Sequence, residues 1–280
     1  MLKRIITSIV AVAVFLPFLI FSDTWAFPIA MSLCSFLGCY EMLTCIGKNK
    51  NAFLAIPLSL MAIVCPLAVR YSYLNSIAFT DITQLALNVV LIAALYIFAV
   101  AVFDNNKTVV TDAALIFMSC FYIIAAFSAI VYIHDFIKLG SMIYLLTFIC
   151  AWTTDIFAYF TGRFLGKHKL IESVSPKKTV EGAIGGVVFC VISMIVFGLI
   201  VEKISGEFKA NYLVLAISGI FISVVSQIGD LVMSVIKRHY GIKDYGKVFP
   251  GHGGILDRFD SVLAVTIMLA FICSYFNLFI

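Results

Sequence analysis

The stretch Thr83-Gln-Leu-Ala-Leu-Asn-Val-Val-Leu-Ile-Ala-Ala-Leu-Tyr-Ile-Phe-Ala-Val-Ala-Val-Phe103 contains no charged side chain. As a helix rising about 1.5 Å per residue it reaches about 30 Å, the thickness of a bilayer's hydrocarbon core. A helix also satisfies its own backbone polar groups, which lipid requires of any spanning segment. Comparable apolar blocks lie at roughly 5–21, 26–46, 53–69, 112–133, 141–161, 182–201, 212–229 and 261–279. The blocks predict an all-α, polytopic integral membrane protein with about nine transmembrane helices. The first follows Lys3 and Arg4 as a secretory signal would, but it lacks a small-residue cleavage site and eight spans follow it. It therefore reads as an uncleaved helix.

Composition agrees: 63% of the chain is hydrophobic, 12% is charged, and the mean hydropathy is +1.11, which excludes an ordinary water-soluble domain. The net charge of +4 comes without a basic stripe interleaved with aromatics, so no nucleic-acid surface is expected. The 8 cysteines sit almost entirely in apolar blocks, with no CxxC or Cys/His ligand spacing, and read as small core hydrophobes.

With the N-terminus inside, every Lys and Arg except Arg70, Lys138, Lys203 and Lys209 falls on the inner side. This bias puts two polar segments, Asp155–Glu181 and Asp230–Asp260, in the cytoplasm. They hold half of all charged side chains. The chain thus divides into N-terminal transmembrane helices, 1–135, and a C-terminal transmembrane region, 136–280, the candidate for any catalysis, with cytoplasmic loops 162–181 and 230–260.

In the first segment, Asp155 lies inside an apolar block. A carboxylate at that depth faces a cavity, a cation or a partner, unless it pairs with Arg163 near the helix end. Thr147, Ala151, Thr154, Ala158 and Gly162 form a small, polar neighbouring stripe that favours an interior-facing site. Ser175-Pro-Lys177-Lys178-Thr-Val-Glu181-Gly182 is a basic loop leading into a helix. Lysines supply point charge and a helix start supplies N–H donors, so the loop suits phosphate; from charge alone, anchoring at lipid headgroups is an equal reading.

The second segment opens at Asp230, which with Ser223, Ser226, Ser234 and Lys237 makes one polar stripe at helical spacing. The stripe either links an intramembrane cavity to the cytoplasm or packs against another helix. Farther on, Pro250-Gly-His252-Gly253-Gly254 precedes Asp257-Arg258-Phe-Asp260. Asp257 and Asp260 stand one turn apart, where two carboxylates suit Mg²⁺ or simply complement a helix dipole. The glycines allow close backbone approach to a ligand. His252 is a candidate acid, base or phosphate donor.

Together these residues resemble the phosphatidate cytidylyltransferases, also called CDP-diacylglycerol synthases. The family's C-terminal signature stands here as Ser234-Val-Ile-Lys237-Arg238, Lys243-Asp244, Gly246, Pro250-Gly-His252-Gly-Gly254 and Asp257-Arg258-Phe-Asp260. Upstream, Asp155, Ala158-Tyr159, Gly162-Arg163, Gly166-Lys167, Ser175-Pro-Lys-Lys-Thr179 and Glu181-Gly182 resemble its first conserved block. The resemblance covers residues 140–280 well; the first 130 match only as apolar helices.

What it implies is condensation of CTP with phosphatidic acid to CDP-diacylglycerol and pyrophosphate, assisted by Mg²⁺ and with a second cation left open. The implied setting is a bacterial inner membrane with the site facing the cytoplasm. Membrane lipids and a homodimer are the further partners it suggests. On this reading Asp230, Asp257 and Asp260 hold metal, and Lys177, Lys178 and Arg258 hold the triphosphate or the lipid phosphate. Ser175, Lys237, Arg238 and Gly253 complete the nucleotide site, while Asp155 orients a cation or a lysine and His252 contributes to catalysis. A CTP-using lipid kinase is the nearest rival, and its product is CDP. The carboxylate pattern of CDP-alcohol phosphotransferases is absent, and an ion path through Asp155 and Asp230 leaves the basic and glycine loops unexplained.

Overall fold

A computed structural model describes residues 17, 20–104, 108–172, 174–249, 251 and 253–280. The elements are α1 (Ala26–Ile46), α2 (Ala52–Leu74), α3 (Phe79–Phe103), α4 (Val110–Phe136), α5 (Gly140–Ile143), α6 (Leu145–Leu165), β1 (Lys169–Ile171), β2 (Ser175–Thr179), α7 (Val180–Ser205), α8 (Tyr212–His239) and α9 (Leu256–Tyr275). Among the described residues 7 segments are long and apolar enough to cross a membrane: α1, α2, most of α3, α4, Gly140–Leu165, α7 and α8. The all-α membrane fold expected from the apolar blocks is therefore present, with one small two-stranded sheet added. The expected block at 5–21 falls almost wholly outside the described residues, as do Lys3, Arg4, Lys107 and Ser173. The block at 261–279 forms most of α9, a 20-residue helix whose first turns carry Asp257, Arg258 and Asp260.

Helix boundaries follow local chemistry. Asn51 caps α2 by accepting the Phe53 N–H, Asn211 caps α8 through the Val214 N–H, and Gly47, at φ 79°, ends α1 in the left-handed region. Helix α7 displays Ile184, Val188, Ile192 and Val196 outward at four-residue spacing, while Gly186, Cys190 and Met194 turn inward. The exposed apolar stripe is what a lipid-facing helix presents.

The chain forms two compact units, the described residues up to Asp135 together with Ile242–Arg258, and Phe136–Gly241 together with Phe259–Ile280. The glycine loop before α9 thus packs with the N-terminal helices. In the first unit, Phe27, Met31, Met42 and Leu43 on α1 are fully buried. Among its buried polar side chains is Arg70, 4% exposed, whose guanidinium donates to Asp135 Oδ2 at 2.7 Å and to the carbonyls of Asp23 and Ser22 at 2.9 and 2.8 Å.

In the second unit, α6, α7 and α8 pack side by side. Gly182 and Gly186 allow α6 and α7 to approach closely, because a Cβ on Gly182 would lie 2.6 Å from the Ala158 carbonyl oxygen and one on Gly186 3.1 Å from that of Thr154. Thr154, Ala158 and Gly162, from the small-residue stripe of α6, supply the facing surface. Small residues on both partners bring backbones together where lipid offers little hydrophobic drive.

Candidate active site

The basic loop is an antiparallel hairpin, with Lys169 opposite Thr179 and Ile171 opposite Ser175. Consecutive strand side chains point to opposite faces, so the two lysines of Ser175-Pro-Lys-Lys-Thr diverge. Lys177 is exposed. Lys178 turns inward and its Nζ lies 2.5 Å from Asp230 Oδ2 on α8.

At the start of α7, expected to offer N–H donors to phosphate, two of the N–H groups have protein partners. Thr179 Oγ1 accepts the Gly182 N–H at 3.1 Å, and the His168 carbonyl accepts the Val180 N–H at 3.0 Å. Glu181 reaches back to the hairpin, accepting the His168 backbone N–H at 3.2 Å and lying 2.6 Å from its Nδ1. The helix end is a fixed anchor for the lysine strand. Replacing Thr179 with alanine removes this cap and is expected to lower stability by about 1 kcal/mol, measured as a shifted unfolding midpoint in detergent.

Asp155 does not pair with Arg163, whose Nη1 is 3.2 Å from the Tyr159 hydroxyl. Instead Asp155 Oδ2 accepts a 2.8 Å hydrogen bond from Ser261 on α9. Asp260, the next residue on that helix, lies within electrostatic reach of Asp230, Asp155 and Lys237. The second unit therefore gathers Asp155, Asp230 and Asp260 with Lys178 and Lys237 from α6, α8, α9 and β2. The lower part of the α8 stripe has a packing role: Ser223 accepts from Thr154 Oγ1 at 3.1 Å, Gln227 donates to the Ala183 carbonyl at 3.2 Å, and Ser226 is buried. Only from Asp230 onward does the stripe meet charge.

In the first unit the glycine loop is tied to Asp257, 8% exposed, whose Oδ2 accepts the N–H groups of Tyr245 and Gly254 at 2.8 and 2.9 Å. Gly253 sits at φ 87° and a Cβ there would lie 2.6 Å from Asp257 Oδ2, so this position needs glycine on both counts. Arg258, Arg238, Lys243 and Lys247 are exposed, while Ser175 and Lys237 are half-buried. His252 and Pro250 lie outside the described residues.

Among the described residues no group of three or more His, Cys, Asp or Glu side chains is close enough to cage a metal ion. Paired carboxylates still match Mg²⁺ chemistry, because that ion commonly takes one or two protein carboxylates and fills its shell with water and substrate phosphate.

Comparison with known proteins supplies the family. The cytidylyltransferase family profile matches residues 2–276. The chain belongs to the cytidylyltransferase family. A phosphatidate cytidylyltransferase of Staphylococcus saprophyticus is 35% identical over 266 residues, covering 95% of this chain and 96% of that one. Another from Bacillus subtilis is 33% identical over 278 residues, with 99% of both chains covered. A Staphylococcus aureus relative of the same name is 32% identical over 266 residues.

For a cytidylyltransferase of this family, Glu41 is the residue that sequence reasoning passes over. It is a single acid in the apolar block 26–46, 4% exposed, and its carboxylate receives the N–H groups of Ile255 and Leu256. Its signal was available, since a lone carboxylate within a membrane span demands a partner. The partner, more than two hundred residues away, was not.

Proposed function

We propose that this protein transfers the cytidylyl group of CTP to phosphatidic acid, giving CDP-diacylglycerol and pyrophosphate for phospholipid synthesis. The observation that carries this reading is the inward Lys178 against Asp230, with Asp155, Asp260 and Lys237 nearby, in a chain of the cytidylyltransferase family. An oxygen of the lipid phosphate attacks the α-phosphorus of CTP. A new P–O bond forms, the bond to the β-phosphate bridge breaks, and pyrophosphate departs with the electron pair. A phosphomonoester is largely ionised near neutrality, so little proton transfer is needed; alignment and charge neutralisation do most of the catalysis.

Lys178 supplies positive charge to a phosphate once it leaves Asp230, and Lys237 adds to the same task; Arg258 is a phosphate-binding candidate from the family signature alone. Lys177, exposed on the other face of the strand, attracts the polyphosphate without gripping it. Asp230 and Asp260 are the carboxylates that would hold Mg²⁺, with Asp257 one turn earlier on α9 as the further candidate. Bound there, the ion would neutralise phosphate charge. Asp155 orients the α9 side of the cluster through Ser261. The bias of Lys and Arg toward one side of the spans supports a site on the cytoplasmic face of a bacterial inner membrane, where CTP would arrive from water and the lipid sideways from the bilayer.

The test is product analysis with purified protein in mixed micelles containing CTP, Mg²⁺ and phosphatidic acid. Equal yields of pyrophosphate and CDP-diacylglycerol, dependent on the lipid, are expected. CDP as the nucleotide product would replace this reading with lipid phosphorylation.

A further inference from the structure

The loop 242–258 carries most of the C-terminal signature, yet it belongs to the same compact unit as the N-terminal helices. Two carboxylates from opposite ends of the sequence hold it. Glu41, on the penultimate turn of α1, accepts the Ile255 N–H through Oε1 at 3.0 Å and the Leu256 N–H through Oε2 at 2.9 Å. Asp257 accepts the N–H groups of Tyr245 and Gly254 through Oδ2. Ile255 and Leu256 open α9, whose first N–H groups have no partner within the helix. A distant side chain therefore fills the role usually taken by a local cap, and it sits where the helix dipole favours negative charge.

Gly246 and Gly254 belong to this arrangement. A Cβ on either would overlap the Glu41 carboxylate, so both glycines leave the space that Glu41 occupies. The contact also accounts for an acid otherwise costly inside an apolar helix, since burying a carboxylate is tolerable only when its oxygens are bonded.

We infer that Glu41 is a positioning residue for the transfer reaction. It clamps the start of α9 and the glycine loop, and thereby fixes the direction in which Asp257 and Arg258 project. It touches no substrate in this role. This assignment gives α1 a task beyond closing the bundle, and it rests on the proposed function only for its catalytic consequence.

The experiment compares wild type with Glu41→Gln and Gly254→Ala, reading backbone hydrogen exchange in the nucleotide-free protein and kcat with CTP and phosphatidic acid. Glu41→Gln keeps the side-chain shape but faces two N–H donors with one carbonyl oxygen. Exchange in 242–258 should quicken by about tenfold or more, as loss of a charge-assisted hydrogen bond implies, with α6–α8 unchanged. The value of kcat should fall by about tenfold or more, because small misplacements of aligned groups are expensive. Gly254→Ala, which pushes on the same carboxylate from the loop side, should reproduce both effects, and Glu41→Ala combined with Gly254→Ala should be little worse than Gly254→Ala alone, because both changes break one contact; activity restored in the double variant would count against the clamp.

Local loosening without loss of kcat, unchanged exchange in both single variants, or faster exchange throughout the chain would each overturn the assignment. Should Glu41→Gln fail to fold, Gly254→Ala and its double variant decide. If wild type itself makes no CDP-diacylglycerol, the proposed function fails while the exchange data still report on the clamp.

Discussion

Replacing Lys178 with methionine is expected to lower kcat by about 10²–10³-fold, the usual loss when one preorganised charge is removed from a site that stabilises developing phosphate charge. The argument starts from strand periodicity, which separates Lys178 from its neighbour and directs it to Asp230 at 2.5 Å. Both side chains keep about a quarter of their surface exposed, 26% and 25%. A partly solvated pair of this kind contributes about 1 kcal/mol or less to stability, so the melting temperature of the variant should hardly move. Lys177→Met is the internal control: its side chain is exposed, and a change of about fivefold or less is expected from loss of a solvated charge. Asp230→Asn should be as damaging as Lys178→Met, and the double variant little worse than either, because groups acting as a unit are not additive. Steady-state pyrophosphate release from the four proteins checks this. Equal losses for Lys177 and Lys178 would mean that strand alternation does not select the working lysine.

Replacing Arg70 with methionine should produce the largest stability loss, about 3–5 kcal/mol, the cost of leaving a buried charge without its partner. Asp135 would retain the His134 Nδ1 atom 2.7 Å from its Oδ1, but it would lose the guanidinium at Oδ2. The carbonyls of Ser22 and Asp23 would lose their donor as well, freeing the segment that leads into α1. Thermal unfolding in detergent should report the drop. Arg70→Met combined with Asp135→Leu should recover much of it, since replacing both members of a buried ion pair by apolar groups is often close to neutral. This cluster lies at the end of α1 remote from Glu41, so the glycine loop should exchange normally in the double variant.

Much of the candidate site was readable in the chain. Asp155 and Asp230 announced themselves as carboxylates in apolar blocks, and the order of the basic and glycine segments identified the family. Less readable was the division of labour among neighbours. Lys177 and Lys178 are equivalent as sequence, and only their strand separates an exposed side chain from one bonded to Asp230. The Glu181-Gly182 helix start suggested a phosphate cradle, yet Thr179 and His168 occupy two of its donors; a threonine before a helix is a readable cap, but the hairpin that brings His168 there spans two very short strands. Ser223 and Ser226 looked continuous with Asp230 because helical spacing says which residues share a face and is silent on what that face meets.

By itself the sequence determined the solvent, the helical class and the family, and it singled out the carboxylates and lysines of the candidate site, because lipid imposes long uncharged spans and makes every intramembrane charge conspicuous. Tertiary structure alone decided the partners: Lys178 with Asp230, Asp155 with Ser261, Arg70 with Asp135, and Glu41 with the start of α9. Hydrogen bonds act over about 3 Å, whereas these partners are separated by tens to hundreds of residues. No spacing rule within one helix or one strand can join them. The N-terminal apolar helices carry little local information, but folding brings one of their acids, Glu41, into hydrogen bonds with the loop that bears the signature.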